Sequence, residues 1–212
     1  MSDAVRFPLV LGIISLASAL TLGITYSATR ERIELQALLD RNSALIEVLG
    51  VEVESPENPP WTRTEHSDAT GRLGEFAVYE AVAPSGGALY ATVGAGQGYS
   101  SKVRAMVAFD AAIEGGLDLA VIRAAKVVSQ LETPGLGSQC QDEDFQQQFT
   151  RLPLALLAID PSLTVYRDPD GEGEQKIAAI TGATISTNAA IAAVRQAAAR
   201  VRFHIEQQGV EK

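Results

Sequence analysis

The sequence predicts an α+β fold, an antiparallel sheet with flanking helices, preceded by one N-terminal transmembrane helix. Three observations carry that expectation. Phe7 to Thr29 contains no charged residue. Short runs rich in β-branched and aromatic residues, separated by glycine-rich turns, fill the middle of the chain. Asn188 to Gln208 is Ala-rich and free of Gly and Pro, the composition of a long helix.

Taken in order, the first element is FPLVLGIISLASALTLGITYSAT (7–29). At 1.5 Å per residue it is long enough to cross a hydrocarbon core of ~30 Å. A cleaved signal peptide is the rival reading. Against it, the apolar stretch exceeds a typical signal core, and no Ala-x-Ala site closes it. Arg6 precedes the span, whereas Arg30, Arg32 and Arg41 follow it, and counting Lys and Arg alone places the large domain in the cytoplasm. Glu31, Glu34 and Asp40 are interspersed among those arginines.

Residues 1–29 are thus a tail and transmembrane helix. Residues 30–50 follow without a break as a juxtamembrane helix, with apolar positions 33, 37, 38, 45, 48 and 49 and a natural stop at Gly50. Residues 51–75, rich in Pro and polar side chains, read as a linker. Residues 76–208 form the remaining domain. Its expected strands are 76–82, 88–96, 103–110, 119–130, 163–168 and 176–180, with turns at 85–87, 96–101 and 114–116. A short helix is expected over 142–149 and the long one over 188–208.

Composition narrows the function. The net charge is −9 and the pI about 4.7, which leaves no basic face to displace counterions from nucleic acid. One cysteine, Cys140, allows neither an intrachain disulfide nor a thiolate-rich metal centre. No basic neighbour in sequence would activate it. His66 and His204 show no metal-ligand spacing and read as solvated. The carboxylates Asp142, Glu143 and Asp144 suit a helix N-terminus. Any redox chemistry would need an organic cofactor or a partner's centre.

Three stretches stand out. In ITGATISTNAAIAAVRQ, from Ile180, a β-branched run meets a Gly-Ala turn, two hydroxyl residues and a long helix. Thr184 lies at that junction, with Ser186 or Thr187 as N-cap. A group on Thr184 would face a helix N-terminus, where free N–H donors and the macrodipole favour an anion. An ordinary capped helix after a tight turn has the same pattern. In LETPGLGSQ, from Leu131, Pro134-Gly135 is the favoured centre of a type II turn, serving either a surface loop or a ligand clamp. GAGQGYSS (94–101) reads as a hairpin turn or as a rim placing Tyr99 beside a ligand.

Together, GxGYxx, a strand pair, ETPGLG and (Ser/Thr)-Gly-Ala-Thr resemble the FMN-binding domain shared by two membrane proteins. These are the G subunit of the Rnf ion-translocating complex and the C subunit of the sodium-pumping NADH:quinone reductase. GYSS at 98–101 and the short chain fit the Rnf G subunit better. The resemblance, over Arg30 to about Gln208, implies FMN joined by a flavin transferase to Thr184 through a phosphoester. Thr181, Gly182 and Ala183 would be the recognition turn. Glu132, Thr133, Gly135, Leu136 and Gly137 would line the isoalloxazine, with Tyr99 as a neighbour.

The resemblance further implies an electron-carrying subunit in the bacterial inner membrane, its FMN domain extracytoplasmic. Other subunits of an Rnf-like translocase would be its partners, coupling ferredoxin and NAD chemistry to ion movement. The alternatives are a stand-alone membrane-anchored flavoprotein reductase and a non-redox assembly subunit. One departure from the family pattern is Ala178, where an acidic residue usually stands three positions before the motif; Glu172 and Glu174 lie further upstream.

Overall fold

A computed structural model describes residues 3–53, 59–84, 86–111, 120–153 and 177–210. The expected strand at 163–168, the turn at 114–116, Glu172 and Glu174 lie outside the described residues. Helix α1 spans Asp3–Leu49, and the chain divides into two compact units, Met1–Ser43 and Ala44–Lys212.

The first unit is a single helix whose large apolar side chains, Phe7, Leu11, Leu16, Leu22 and Ile24 among them, are exposed. It is long and apolar enough to cross a membrane. Within that stretch Thr21, Thr25 and Thr29 donate their hydroxyls to carbonyls four residues earlier, at 2.9, 2.9 and 2.8 Å. Those hydroxyls are thereby satisfied inside the helix, as an apolar surrounding demands.

The second unit is an antiparallel meander with strand order β1-β2-β3-β4-β5. The strands are β1 (Trp61–Ser67), β2 (Glu75–Val82), β3 (Ala88–Gln97), β4 (Lys102–Ala111) and β5 (Val121–Ser129). A 3-10 turn (Gly137–Gln141), α2 (Glu143–Gln147) and α3 (Thr184–Val210) follow. This is the expected α+β class. Strand β1 is an addition, since the sequence pattern puts Trp61–Ser67 within a linker. Its composition hides it: WTRTEHS buries no residue fully, so it lacks the apolar alternation that marks a half-buried strand. Of the expected strand at 176–180, the described residues Ile177–Ile180 are not in a strand and lead through the Thr181–Ala183 turn into α3.

Side chains alternate between two cores, as the pleat dictates. Val103, Ala105, Val107 and Phe109 of β4 pack with α3, through Ala189, Ala190, Ala193, Val194 and Val201. Met106 and Ala108 point the other way, onto Leu89, Ala91 and the last turns of α1, where Ala44, Leu45, Val48 and Leu49 are buried. Gly50 ends α1 at φ +59°, its N–H bonded to the Ile46 carbonyl at 2.8 Å. That is the left-handed cap for which glycine carries no Cβ penalty.

What sets α3 on the sheet is the spacing of small residues. A Cβ on Gly94 would overlap the Ala193 carbonyl, and one on Gly96 the Ala189 carbonyl. Four helical residues rise about 6 Å and two strand residues about 6.8 Å, so the two series stay in step. Beyond Thr92, β3 outruns its pairing with β2. Helix side chains take over there: Gln196 accepts from the Ala95 N–H at 2.8 Å, and Arg200 donates to the Val93 carbonyl. Arg200 also donates to the Leu73 carbonyl at 2.6 Å and lies 5.0 Å over the Phe76 ring.

The histidines differ from expectation. His204 is 1% exposed and its Nδ1 hydrogen-bonds His66 Nε2 at 2.6 Å; its Nε2 bonds the Glu80 carboxylate. His66 also stacks on Phe76, with ring centroids 5.3 Å apart. Residues 138 apart in sequence thus tie β1 to β2 and α3, a contact no local spacing announces.

This packing has measurable consequences. Gly94→Ala should lower stability by about 1–3 kcal/mol, the range for overpacking a core, read as a lower denaturant midpoint at unchanged slope. Burial, then the neighbouring His204, pushes His66 below the usual histidine range, and Glu80 only partly offsets this. The unfolded chain therefore binds the proton more readily. Stability should decline as pH falls from about 6.5, the unperturbed histidine value, toward the lower folded value, and His66→Gln should shrink the difference between pH 7.5 and 5.5.

Candidate functional site

The N-terminus of α3 sits where three loops meet. Strand β3 ends at Gln97, and the hairpin loop 98–101 closes with the Gly98 N–H on the Ser101 carbonyl at 2.8 Å. The loop after β5 turns at Thr133-Pro134-Gly135-Leu136. There the Leu136 N–H reaches the Thr133 carbonyl at 3.1 Å and Gly135 has φ +74°. That is the positive φ a type II turn requires at its third position, as the Pro-Gly pair predicts. Ile180-Thr181-Gly182-Ala183 repeats the geometry, with the Ala183 N–H on the Ile180 carbonyl at 3.0 Å and Gly182 at φ +77°. A Cβ on Gly182 would lie 3.5 Å from Leu136 Cδ2, so the two turns are neighbours.

Glu132 joins these pieces. Its Oε1 accepts from the backbone N–H groups of Ser100 and Ser101 at 3.0 and 2.9 Å. Its Oε2 accepts from the Tyr99 N–H at 3.0 Å and the Ser186 hydroxyl at 2.5 Å. Four donors fill the four lone-pair sites of a carboxylate. The residue is 5% exposed. Burial pushes its pKa up, but the bonds from Ser186, Ser101, Ser100 and Tyr99 together outweigh it and hold the group below its ordinary value. Expected from resemblance to line a ring system, this side chain instead has every acceptor taken by its own protein and lies beneath the surface.

Two glycines make room for it. A Cβ on Gly98 would come 2.5 Å from Glu132 Oε1, and one on Gly137 would come 2.8 Å from Glu132 Cβ and overlap the Ser186 hydroxyl. Gly137, expected to line the ring, is buried beside the carboxylate.

The hydroxyls of TGATIST divide sharply. Thr187, fully buried, accepts from the Ile180 N–H at 3.1 Å and donates to the Ala183 carbonyl at 3.0 Å. Ser186 is spent on Glu132. Neither is the N-cap expected from the sequence, because α3 begins two residues earlier, at Thr184. Thr181 and Thr184 are exposed, and of these only Thr184 belongs to the helix. The first-turn N–H groups of Thr184, Ile185 and Ser186 have no carbonyl of their own helix to bond, and the turn carries no acidic residue. Ala183, expected with Thr181 and Gly182 in a recognition turn, is buried.

The loops that meet at this helix start, and the helix itself, carry exposed apolar side chains. Tyr99 is 73% exposed, and Leu131, Leu136 and Ile185 are exposed as well. Thr133, Pro134 and Gly135 lie beside them, Pro134 and Gly135 on the exposed turn. The Leu131 N–H is held by the Ser101 hydroxyl at 2.7 Å, so this cluster is tied to the same loop as Glu132. An exposed hydroxyl, helix N–H donors without an intrahelical partner, two open glycine turns and exposed apolar side chains fit a ligand that combines a phosphate with a flat apolar ring.

Cys140 lies beneath this region, fully buried. Burial, reinforced by the Glu132 charge, pushes its thiol up to about 11, so it stays protonated and inert at neutral pH. Ala178, at the position where the related pattern carries an acid, is exposed, and its N–H bonds Gln148 Oε1 at 2.6 Å. Sequence reading missed the inward role of Ser186 and the helix track of Gly94 and Gly96. The alternate glycines of GAGQG were the available signal, and they read equally well as turn chemistry.

Known proteins share this region. Residues 98–199 match the family model of the FMN-binding domain. The G subunit of the ion-translocating oxidoreductase complex of Methanosarcina acetivorans is 29% identical over 185 residues, 87% of each chain. The same subunit of Aliivibrio fischeri is 28% identical over 209 residues, covering 94% of this chain and 90% of the relative. The crystal structure of the C subunit of the Na(+)-translocating NADH-quinone reductase from Parabacteroides distasonis shares the fold. Its TM-score is 0.55 at 17% identity, over 81% of this chain and 96% of that one.

Glu132→Gln tests the junction. The amide nitrogen cannot accept as the carboxylate oxygen does, so the variant should lose about 1–3 kcal/mol, the cost of a buried unmet donor, in equilibrium unfolding at pH 7. Because the folded carboxyl titrates below its unfolded value of about 4.3, its contribution is complete above that pH. It disappears as pH falls through the folded value, so the variant's deficit should narrow in acid.

Proposed function

From the match of residues 98–199 to the family model of the FMN-binding domain, we propose that the chain is a membrane-anchored FMN electron carrier. It would serve as a subunit of an ion-translocating oxidoreductase of the Rnf type, with FMN attached covalently to Thr184. The observation that carries the attachment is the division of hydroxyls. Ser186 and Thr187 are buried and bonded, whereas Thr184 is exposed at the first position of a long helix.

A phosphoester at Thr184 puts the phosphate where the N–H groups of residues 184–186 can donate to its oxygens and the helix macrodipole favours its charge. Tyr99, Leu136 and the Thr133–Gly135 turn would hold the ring, with Thr181, Gly182 and Ala183 read by the enzyme that attaches it. FMN supplies the electron transfer; the protein binds, orients and shields it. Attachment needs an activated donor, a dinucleotide that carries FMN through a pyrophosphate. The Thr184 Oγ1–phosphorus bond forms, the pyrophosphate P–O bond breaks, and a nucleoside monophosphate leaves. The hydroxyl proton passes to a base of the flavin transferase, and nothing is oxidised.

The exposed apolar helix is the single-pass anchor, and the FMN domain lies on the extracytoplasmic side. A covalent tether suits that side, where a dissociated flavin would be lost to a compartment that does not make it. The names of the relatives support other members of the same complex as partners. The chain alone would not catalyse the whole ion-coupled reaction.

Full-length protein made with an active flavin transferase should give a flavin-fluorescent band on a denaturing gel, and Thr184→Ala should abolish it. A dark wild-type band, with the transferase active on another acceptor, would defeat covalent attachment and bring forward a noncovalent or assembly role connected with Ala178.

A further inference from the structure

The buried carboxylate does something more specific than fill space. We infer that Glu132 and Ser186 form a positioning pair for the modification of Thr184. Glu132, acting through the Ser186 hydroxyl, holds the first turn of α3 so that Thr184 Oγ1 faces its phosphorus electrophile. The inference rests on the reading of Thr184 as the acceptor.

Helix geometry sets up the arrangement. Residues two apart on an α-helix point about 200° from one another, so the inward bond of Ser186 turns Thr184 outward. The buried Ser186 hydroxyl is 2.5 Å from Glu132 Oε2 and Thr184 is exposed, as that geometry requires. The turn before the helix is clamped separately, by Thr187 bridging the Ile180 N–H and the Ala183 carbonyl. Thr184 thus sits between two anchored points in a part of a helix that otherwise frays.

The direction of the carboxylate matters as much as its position. An acidic side chain at a helix start ordinarily takes the free N–H donors for itself. Here both oxygens are committed to the amides of residues 99–101 and to the Ser186 hydroxyl. The first-turn N–H groups of α3 are left for the incoming phosphate. Gly98 and Gly137 are the spatial condition for this, since a Cβ on either would strike Glu132. Glu132 therefore serves the site without touching the ligand.

The test uses the full-length chain, a flavin transferase and flavin adenine dinucleotide as donor. Initial rates of covalent uptake would be read by in-gel fluorescence for wild type, Ser186→Ala, Glu132→Gln and the double variant. Leu89→Ala, in the core on the opposite face of the sheet, is the control for lost stability. Well below every melting temperature, each single variant should slow uptake, by up to about a hundredfold, the cost of misplacing a reacting group by about 1 Å, with the donor KM unchanged. The double variant should be no slower than the slower single, and Leu89→Ala should match wild type.

Hydrogen exchange on the unmodified protein supplies a readout that needs no flavin. Glu132→Gln should speed exchange at Tyr99–Ser101 and at Thr187, and Ser186→Ala at Thr187, while the middle of α3 stays protected. Wild-type uptake in Ser186→Ala, additive losses in the double variant, or equal slowing by Leu89→Ala would overturn the inference. If wild type takes up no flavin, the acceptor reading fails; unchanged exchange in both variants would then overturn the pair as well.

Discussion

The close approach of α3 to β3 is the constraint from which the site follows. Gly94 and Gly96 let the helix rest its backbone at Ala189 and Ala193 directly on the strand. One helical turn and one strand repeat are nearly the same length, so contact at one pair enforces contact at the next. Carried one step further toward the helix N-terminus, the same track reaches Gly98, where Glu132 replaces direct contact. The helix start is thereby delivered to the hairpin loop and the Pro134-Gly135 turn. Gln196 and Arg200 complete the seating by satisfying β3 backbone groups that β2 leaves unpaired.

Two buried polar groups, Glu132 and His204, are paired across long stretches of chain. Glu132 is bonded to residues 31 to 33 positions before it and 54 after it. His204 bonds Glu80 and His66, 124 and 138 positions away. Each network would be costly if half satisfied, so each specifies one arrangement of loops that hydrophobic burial alone would leave loosely defined. One organises the N-terminal end of α3, the other its C-terminal half and the edge strand β1.

The site divides into two layers with different duties. Beneath the surface lie groups whose hydrogen-bonding capacity is spent: Glu132, Ser186 and Thr187, with the inert Cys140 thiol below. Above lie groups with capacity to spare: the Thr184 hydroxyl, the first-turn N–H groups and the exposed Tyr99, Leu136 and Ile185. Rigidity under an open acceptor is what positioning chemistry requires.

The sequence by itself determined much of this. Local signals sufficed for the apolar span, the stop at Gly50, the meander strands β2 to β5, the type II turn at Pro134-Gly135 and the long helix after TGAT. Each is governed by composition or dihedral preference within a few residues. The three motifs were visible as motifs, and family resemblance grouped them. Tertiary structure alone decided their roles. It turned Glu132, Gly137 and Ala183 inward, placed the helix start at Thr184 rather than beyond it, made Trp61–Ser67 a strand, and brought the two histidines against each other. Those outcomes depend on partners outside the local pattern, from 8 to 20 positions away for β1 on β2 to 138 for the histidines. Whether a hydroxyl or carboxylate is free or spent is a property of its partner, which no local pattern contains.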